Sequence, residues 1–187
     1  MRNDGLRHLP NAISLARIVA VPYAVWLIFD GNFLFAFWVF VAAGISDGID
    51  GFLAKTLDAR SRLGAFLDPL ADKALLVAVF VSLAIIGKIP LWFVVVAVVR
   101  DLVIVAGAAA YRLRMGALDI EPLMIGKVNT VAQVITAGAF LAAAGFTLEV
   151  DRYLDIMVVV TALATTGSGV VYVVKWTRMA FGESKKV

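Results

Sequence analysis

Twenty-one consecutive residues without a charged side chain run from Val128 to Leu148, with the sequence VNTVAQVITAGAFLAAAGFTL. A second uncharged stretch, of 19 residues, runs from Ile156 to Val174. An α-helix rises 1.5 Å per residue, so about 20 apolar residues cross the ~30 Å hydrocarbon core of a bilayer. Both stretches therefore predict transmembrane helices.

The composition of the whole chain agrees with this interpretation. Of its 187 residues, 62% are hydrophobic and 17% are charged, and the mean hydropathy is +0.94. An ordinary soluble domain is about half apolar and about a quarter charged. The net charge of +3 is too small and too scattered to indicate a nucleic-acid partner. The sequence contains no cysteine, which excludes disulfides, thiol chemistry and cysteine-ligated metals.

Four further apolar stretches are interrupted by ionisable residues and separated by turn-forming residues. Because an open strand cannot satisfy its backbone in lipid, we predict an all-α integral membrane protein with six transmembrane helices. The predicted spans are Asn11–Phe29, Phe33–Ala54, Phe66–Gly87, Leu91–Tyr111, Leu123–Leu148 and Ile156–Trp176. We find no internal repeat or low-complexity linker, which predicts a single domain over residues 1–187. The juxtamembrane segment 1–9 fits a short N-terminal interfacial helix and an unstructured tail equally well.

The basic residues predict the orientation. Six spans put both termini on one side, and that side collects all but three of the 17 Lys and Arg residues. The exceptions are Lys88 and Arg152, on the opposite side, and Arg100, inside a span. Because cytoplasmic loops carry the excess of Lys and Arg, both termini are expected to face the cytoplasm. The protein is thus predicted to be a multi-pass protein of the cytoplasmic membrane.

Four aspartates stand where apolar residues are expected. Asp47 and Asp50 are spaced i,i+3 near the end of the second span, and Asp68 and Asp72 are spaced i,i+4 near the start of the third. Each pair shares one helix face, and a short hairpin would bring both pairs to the same depth near the cytoplasmic side. Four like charges repel strongly unless cations bridge them, and hard divalent ions prefer oxygen ligands. The pattern therefore favours two Mg²⁺ or Mn²⁺ ions, an arrangement suited to phosphoryl transfer.

A divalent-cation transporter is an alternative, because it too needs carboxylates within the membrane. Transport sites lie near the midplane, between repeats with broken helices. These aspartates lie at one edge of the bilayer, in one hairpin, and the sequence shows no repeat. An enzyme is therefore the favoured interpretation, and its active site is expected on the cytoplasmic side.

The string Asp47-x2-Asp50-Gly51-x2-Ala54-Lys55-x8-Gly64-x3-Asp68-x3-Asp72 is similar to the signature of the CDP-alcohol phosphatidyltransferases. The segments Leu9–Arg17 and Gly126–Thr130 also resemble bacterial members of that family. One position departs, because the family has Arg where this chain has Lys55. Lysine keeps the positive charge but lacks the two-pronged guanidinium that can grip a diphosphate.

The resemblance implies a reaction and a set of site residues. A phosphatidyl group would pass from CDP-diacylglycerol to an alcohol, with release of CMP. The metal ligands would be Asp47, Asp50, Asp68 and Asp72, with Asp72 as the general base and Asp68 as a second catalytic residue. CDP would be bound by Asp47, Gly51, Ala54, Lys55 and Gly64. The resemblance also implies a homodimer, for which the Gly167-Ser168-Gly169 face offers close helix packing.

The acceptor alcohol must be recognised by other residues. Candidates for its phosphate are Arg17, Arg100, Arg112, Arg114 and Lys127. For Arg112 and Arg114, each taken singly, positive-inside anchoring is the preferred interpretation. Arg100 could instead pair with Asp101 or an acid of the hairpin. The segments at 100–104, 125–133 and 161–166 resemble the cardiolipin synthases of the family, which favours phosphatidylglycerol as acceptor. The alternative is glycerol 3-phosphate. Small residues in spans four to six, such as Gly107 and Gly138, could open a lateral route for a lipid.

Overall fold

A computed structural model describes the backbone of residues 9–56, 62–115 and 123–180, and the side chains of residues 16, 18–46, 73–110 and 123–178. The described backbone contains six α-helices and no strand, which confirms the all-α prediction. The helices are α1 (Leu9–Phe29), α2 (Phe33–Thr56), α3 (Arg62–Ile85), α4 (Leu91–Met115), α5 (Met124–Gly145) and α6 (Asp151–Ala180). Apart from Leu9, the predicted interfacial segment 1–9 lies outside the described residues.

All six helices carry long apolar runs. Three of these are long enough to cross a bilayer: Leu91–Ala110, Met124–Gly145 and Asp151–Arg178. Within the described side chains of α1, α2 and α3 the apolar runs are shorter: Ile18–Phe29, Phe33–Ser46 and Lys73–Ile85. Large apolar side chains such as Leu102 and Leu163 are exposed, as expected of helices that face lipid rather than water. The helices are those of a membrane protein.

Two helices end at a glycine in the left-handed conformation. After α1, Gly31 has φ +78° and the N–H of Asn32 donates to the carbonyl of Leu27 at 2.9 Å. After α3, Gly87 has φ +74° and the N–H of Lys88 donates to the carbonyl of Leu83 at 2.8 Å. Only glycine adopts this φ without steric cost, so each of these ends is set by local sequence.

Five predicted boundaries were wrong by three to five residues. Two of them are the end of α4, at Met115 rather than Tyr111, and the end of α6, at Ala180 rather than Trp176. Helix α5 ends at Gly145 rather than Leu148, because Thr147 has φ +52° and the N–H of Leu148 bonds back to the carbonyl of Ala143. Helix α6 begins at Asp151 rather than Ile156, where an acid in the first turn complements the positive end of the helix dipole. Helix α3 begins at Arg62 rather than Phe66. Hydropathy locates the apolar part of the chain, whereas backbone hydrogen bonds decide where each helix begins and ends.

The described helices fall into two compact units. The first comprises the described residues of Met1–Ile89 together with Ala137–Val150, and in it α1 packs against α2 and α3. Its core includes Ile28, Phe80 and Leu141, all at most 2% exposed. At the end of α5 the backbone approaches α2 closely, since a Cβ on Gly145 would lie 2.7 Å from the backbone of Leu34.

The second unit comprises the described residues of Pro90–Thr136 and Asp151–Val187. Within it α4 packs against α6, around apolar side chains such as Phe93 and Val158. Buried polar side chains of α5 and α6 complete its interior. The single domain predicted from the sequence stays a prediction.

Candidate functional site

The four aspartates lie on two helices of the first unit that contact each other. Asp47 and Asp50 belong to α2, and Asp68 and Asp72 belong to α3. The backbone is helical at all four positions, so the i,i+3 and i,i+4 spacings are spacings along real helices. The CDP-binding candidates lie on the same two helices, with Gly51, Ala54 and Lys55 on α2 and Gly64 on α3.

The side chains of these residues fall outside the described ones. Their assigned roles in metal binding, proton transfer and CDP binding therefore stay predictions. Among the side chains that are described, no group of three or more Asp, Glu or His residues could hold a metal ion. The four predicted ligands are not among these side chains, so the predicted metal site stays a prediction.

The five acceptor candidates lie on three helices. Arg17 belongs to α1, and Arg112 and Arg114 belong to the last turns of α4, all with side chains outside the described set. Lys127 lies in the first turn of α5 and its side chain is exposed. Arg100 lies in the third turn of α4 and is only 7% exposed. The structure thus gives surroundings for Arg100 and Lys127.

Arg100 is held from two helices of the second unit. Its Nη1 donates to Oδ1 of Asp101 at 2.8 Å, and its Nη2 donates to Oγ of Ser168 on α6 at 2.7 Å. The ring of Tyr172, also on α6, lies 5.7 Å from the guanidinium carbon. The Nε has no hydrogen-bond partner among the described residues. The predicted pairing with Asp101 is confirmed, and it offsets the cost of placing this charge inside an apolar helix.

The start of α5 lies directly beside this guanidinium. The backbone N–H of Leu123 donates to the hydroxyl of Tyr172 at 3.3 Å. A Cβ on Gly126 would lie 2.7 Å from that hydroxyl and 3.3 Å from Nη2 of Arg100. The chain can come this close only because residue 126 has no side chain. The structure therefore brings Arg100 together with the helical turn that carries Lys127.

A row of polar side chains joins α5 to α6, and the sequence analysis missed its role. Thr165 on α6 donates to Oδ1 of Asn129 at 2.8 Å and accepts from Nε2 of Gln133 at 3.3 Å. The hydroxyls of Thr136 and Thr161 lie 2.8 Å apart. We call these five side chains the polar seam. All five are at most 4% exposed. The sequence does carry a signal for this seam, because its polar residues recur at helical spacing, at positions 129, 133 and 136 and at positions 161 and 165.

Two expectations about small residues need correction. Gly107 does not border an open route, because a Cβ there would lie 2.8 Å from Nε1 of the Trp176 indole. Gly169 faces Arg100 within the same chain, and Ser168 is fully buried and accepts a hydrogen bond from Arg100. Gly167 alone of the Gly167-Ser168-Gly169 face borders open space. Spacing cannot show which small residues a large side chain of the same protein already covers.

Each unit also has an apolar groove on its surface. In the first unit a groove of about 360 Å³ between α1 and α2 is bordered by small side chains, among them Ala20, Ala42 and Ala43. It extends to Ser46, the residue before Asp47. In the second unit a groove of about 490 Å³ runs between α4 and α6 and is bordered mainly by valines. Arg100 lines it as well.

Comparison with known proteins identifies what the chain resembles. Residues 7–167 match the family model described as CDP-alcohol phosphatidyltransferase. The human protein named cardiolipin synthase (CMP-forming) is 34% identical over 180 residues, covering 88% of this chain and 60% of the relative. A rice protein named CDP-diacylglycerol–glycerol-3-phosphate 3-phosphatidyltransferase 1, chloroplastic, is 33% identical over 190 residues, covering 92% and 58%.

A bacterial relative is covered over more of its length. The probable phosphatidylglycerophosphate synthase of Mycobacterium tuberculosis is 29% identical over 180 residues, covering 92% of this chain and 83% of that protein. By contrast, the chain spans about 60% of the length of the human and rice relatives.

Proposed function

Because this chain belongs to the CDP-alcohol phosphatidyltransferase family, we propose that it transfers the phosphatidyl group of CDP-diacylglycerol to an alcohol and releases CMP. The observation that carries the proposal is the family match over residues 7–167, which includes all four aspartates on α2 and α3. Enzymes of this class act on lipid, which agrees with the long apolar helices of the chain. The match favours an enzyme over a divalent-cation transporter.

Two divalent ions fit the donor set. Asp47, Asp50, Asp68 and Asp72 offer only carboxylate oxygens, the ligands that Mg²⁺ and Mn²⁺ prefer. No sulfur or imidazole ligand competes, since the sequence has no cysteine and its one histidine is His8, far from the aspartates in sequence. When bound, such ions would supply the positive charge that stabilises the attacking and leaving oxygens of a phosphoryl transfer.

Different residues of the chain would then carry out different parts of the reaction. The carboxylate of Asp72 takes the proton of the acceptor hydroxyl as a general base. The acceptor oxygen bonds to the phosphorus that carries diacylglycerol, and the bond from this phosphorus to the oxygen of CMP breaks. Lys55 on α2 lies on the same helix as Asp47 and would place a positive charge near the diphosphate of CDP. Gly51, Ala54 and Gly64 leave room for the nucleotide beside the helix backbones.

The membrane setting follows from the donor. Its diacylglycerol chains stay in the bilayer while its nucleotide needs water, so the reaction belongs at a membrane surface. The groove between α1 and α2 supports this placement, since it is apolar and reaches Ser46, next to Asp47. From the distribution of Lys and Arg we propose that this surface is cytoplasmic, that both termini lie there, and that the enzyme resides in the cytoplasmic membrane. We propose a homodimer from the family resemblance.

Phosphatidylglycerol is the acceptor we favour, which would make the product cardiolipin. The support is the resemblance to relatives named cardiolipin synthase, at 34% identity in human and 33% in rat. Glycerol 3-phosphate is the second candidate, because relatives in rice and Mycobacterium tuberculosis carry names of that reaction at 33% and 29% identity.

An acceptor panel distinguishes the candidates. The purified chain is reconstituted in vesicles with CDP-diacylglycerol and Mg²⁺ and is given phosphatidylglycerol, glycerol 3-phosphate, inositol or serine in separate reactions. Products are then separated by mass. We expect cardiolipin and CMP from phosphatidylglycerol. Formation of phosphatidylglycerophosphate without cardiolipin would overturn the favoured acceptor, and no CMP with any alcohol would overturn the proposed reaction.

A further inference from the structure

Tyr172 contacts two groups that belong to different helices. Its ring face lies 5.7 Å from the guanidinium carbon of Arg100, which is on α4. Its hydroxyl accepts the backbone N–H of Leu123, at the start of α5, at 3.3 Å. Tyr172 itself is 7% exposed and lies one helical turn after Ser168, the other α6 residue that holds Arg100.

Each of these contacts has a clear physical effect. A cation over a tyrosine ring is attracted to the ring face, more strongly where water is excluded. The first N–H groups of a helix have no partner within the helix, so an acceptor at that end satisfies a group that would otherwise be unpaired. An arginine side chain loses much rotational freedom when it is fixed. Ser168 and Tyr172 supply that fixation from a single helix.

We propose that Tyr172 is a positioning residue for the acceptor: it keeps the Arg100 guanidinium and the first turn of α5 in one arrangement. This inference rests on the proposed function and on the prediction from the sequence that Arg100 and Lys127 bind the phosphate of the acceptor. Because Lys127 follows Gly126, a shift of this turn relative to Arg100 moves one of the two cationic groups away from the other. Tyr172 acts through these residues and does not itself contact the substrate.

Gly126 is part of the same arrangement. A Cβ at this position would lie 2.7 Å from the Tyr172 hydroxyl oxygen, closer than a real Cβ contact allows. With Tyr172 in its observed position, the backbone of α5 can therefore approach Arg100 this closely only because residue 126 is glycine. An added methyl group at position 126 would push the turn and the hydroxyl apart.

The test compares the KM of the acceptor with the KM of the donor. Tyr172→Leu removes ring and hydroxyl, Tyr172→Phe removes the hydroxyl alone, and Tyr153→Leu is a control on α6, where Tyr153 is 70% exposed. The acceptor is whichever alcohol the wild-type chain uses, with CDP-diacylglycerol as the donor. We expect Tyr172→Leu to raise the acceptor KM about tenfold and Tyr172→Phe about threefold, with the donor KM within about twofold of wild type. The control should match wild type.

A compensating variant separates positioning from simple packing. Gly126→Ala should raise the acceptor KM, and adding Tyr172→Phe should lower it again toward the value of Tyr172→Phe alone, because the closest contact of the added methyl group, 2.7 Å from the hydroxyl, is gone. If the two substitutions raise the acceptor KM by factors that simply multiply in the double variant, the two residues act independently, and the proposal is overturned. So would equal rises in donor and acceptor KM in Tyr172→Phe, or an unchanged acceptor KM in both folded Tyr172 variants. A wild-type chain without CMP release would contradict the proposed function instead.

Discussion

At the scale of single residues, Arg100 shows how this membrane protein keeps a buried charge. Removing a guanidinium from water costs several kcal/mol unless other groups replace its hydration. Asp101 supplies the opposite charge, Ser168 supplies an oxygen acceptor and Tyr172 supplies a ring face. An ionisable residue inside a transmembrane helix is most often functional. These contacts explain how Arg100 can be stable inside an apolar helix. Binding of the acceptor phosphate, as predicted from the sequence, would give it a function.

Lys55 is the residue where the chain departs from its family, and it gives a direct prediction. Lys55→Arg should keep or lower the KM for CDP-diacylglycerol, because a guanidinium can bond two phosphate oxygens where an ammonium makes a point contact. Lys55→Ala should raise that KM about tenfold or more. Steady-state CMP release at varied donor concentration measures both. An unchanged KM in Lys55→Ala would show that Lys55 serves only to anchor the topology.

Gly107 gives a prediction about stability. Gly107→Ala should lower the melting temperature of the detergent-solubilised protein, because its Cβ would lie 2.8 Å from the Trp176 indole and force it to move. Overpacking of this kind costs about 1–3 kcal/mol. The matched control is Gly167→Ala, whose Cβ meets nothing within 4 Å and which should leave the melting temperature unchanged or raise it. Equal melting temperatures for the two variants would contradict the packing of Trp176 on Gly107.

At the scale of helices, the polar seam joins α5 and α6. Lipid tails are as apolar as leucine, so helix association in a bilayer depends on close packing and on hydrogen bonds between helices. Thr165 is the centre of the seam, since its hydroxyl bonds to both Asn129 and Gln133. Such bonds are worth about 1 kcal/mol each. The seam therefore fixes the register of α5 against α6, and with it the place of the Lys127 turn.

Neighbouring threonines test the seam. Thr165→Val should lower the thermal stability by about 1–2 kcal/mol, because it leaves a carbonyl oxygen of Asn129 and an amide of Gln133 unpaired and buried. Thr166→Val is the control, because Thr166 is exposed and its hydroxyl bonds only to the carbonyl of Ala162 in its own helix. Thermal denaturation in detergent measures both. If Thr166→Val lowers the thermal stability as much as Thr165→Val does, the hydrogen bonds of the polar seam make no specific contribution to stability.

The sequence predicted the helices well because the signals for a membrane helix are local. Gly31 and Gly87 mark the ends of α1 and α3 in the sequence, and the structure shows why. Contacts between distant helices were harder to predict. Nothing within α4 indicates that Arg100 meets Ser168, 68 residues away, or that Trp176 covers Gly107. Those contacts depend on how the helices pack, and an unaligned sequence gives no information on that.

At the scale of the whole molecule, the charges outside the apolar helices predict how the chain lies in its membrane. Lys and Arg are collected on one predicted side, together with the four aspartates of α2 and α3. Arg152 and Lys88 are the basic residues predicted on the other side. In the proposed function the donor reaches the aspartates from the cytoplasmic side, so a test of the orientation also tests the proposed location of the reaction.

The absence of cysteine in the sequence makes this orientation testable. Arg152→Cys and Arg178→Cys place one thiol each near opposite ends of α6, at residues that are exposed. In intact spheroplasts, a membrane-impermeant maleimide should label Arg152→Cys and should reach Arg178→Cys only after permeabilisation. Both variants should keep wild-type CMP release. Labelling in the reverse pattern would invert the orientation and place the active site outside.

The central claim is that the aspartates of α2 and α3 carry a metal-dependent phosphatidyl transfer. The most direct measurement is CMP release from CDP-diacylglycerol and phosphatidylglycerol by wild type, Asp68→Asn and the control Asp155→Asn. Asp155 is exposed near the start of α6, which is predicted to face away from the cytoplasm. With Mg²⁺ or Mn²⁺, wild type and control should release CMP, and excess EDTA should stop both. In Asp68→Asn the rate of CMP release should fall about a thousandfold or more while the protein remains folded in the membrane. The lost carboxylate ligand removes several kcal/mol of charge stabilisation. Full turnover in EDTA, or a near-normal rate in Asp68→Asn, would contradict the claim.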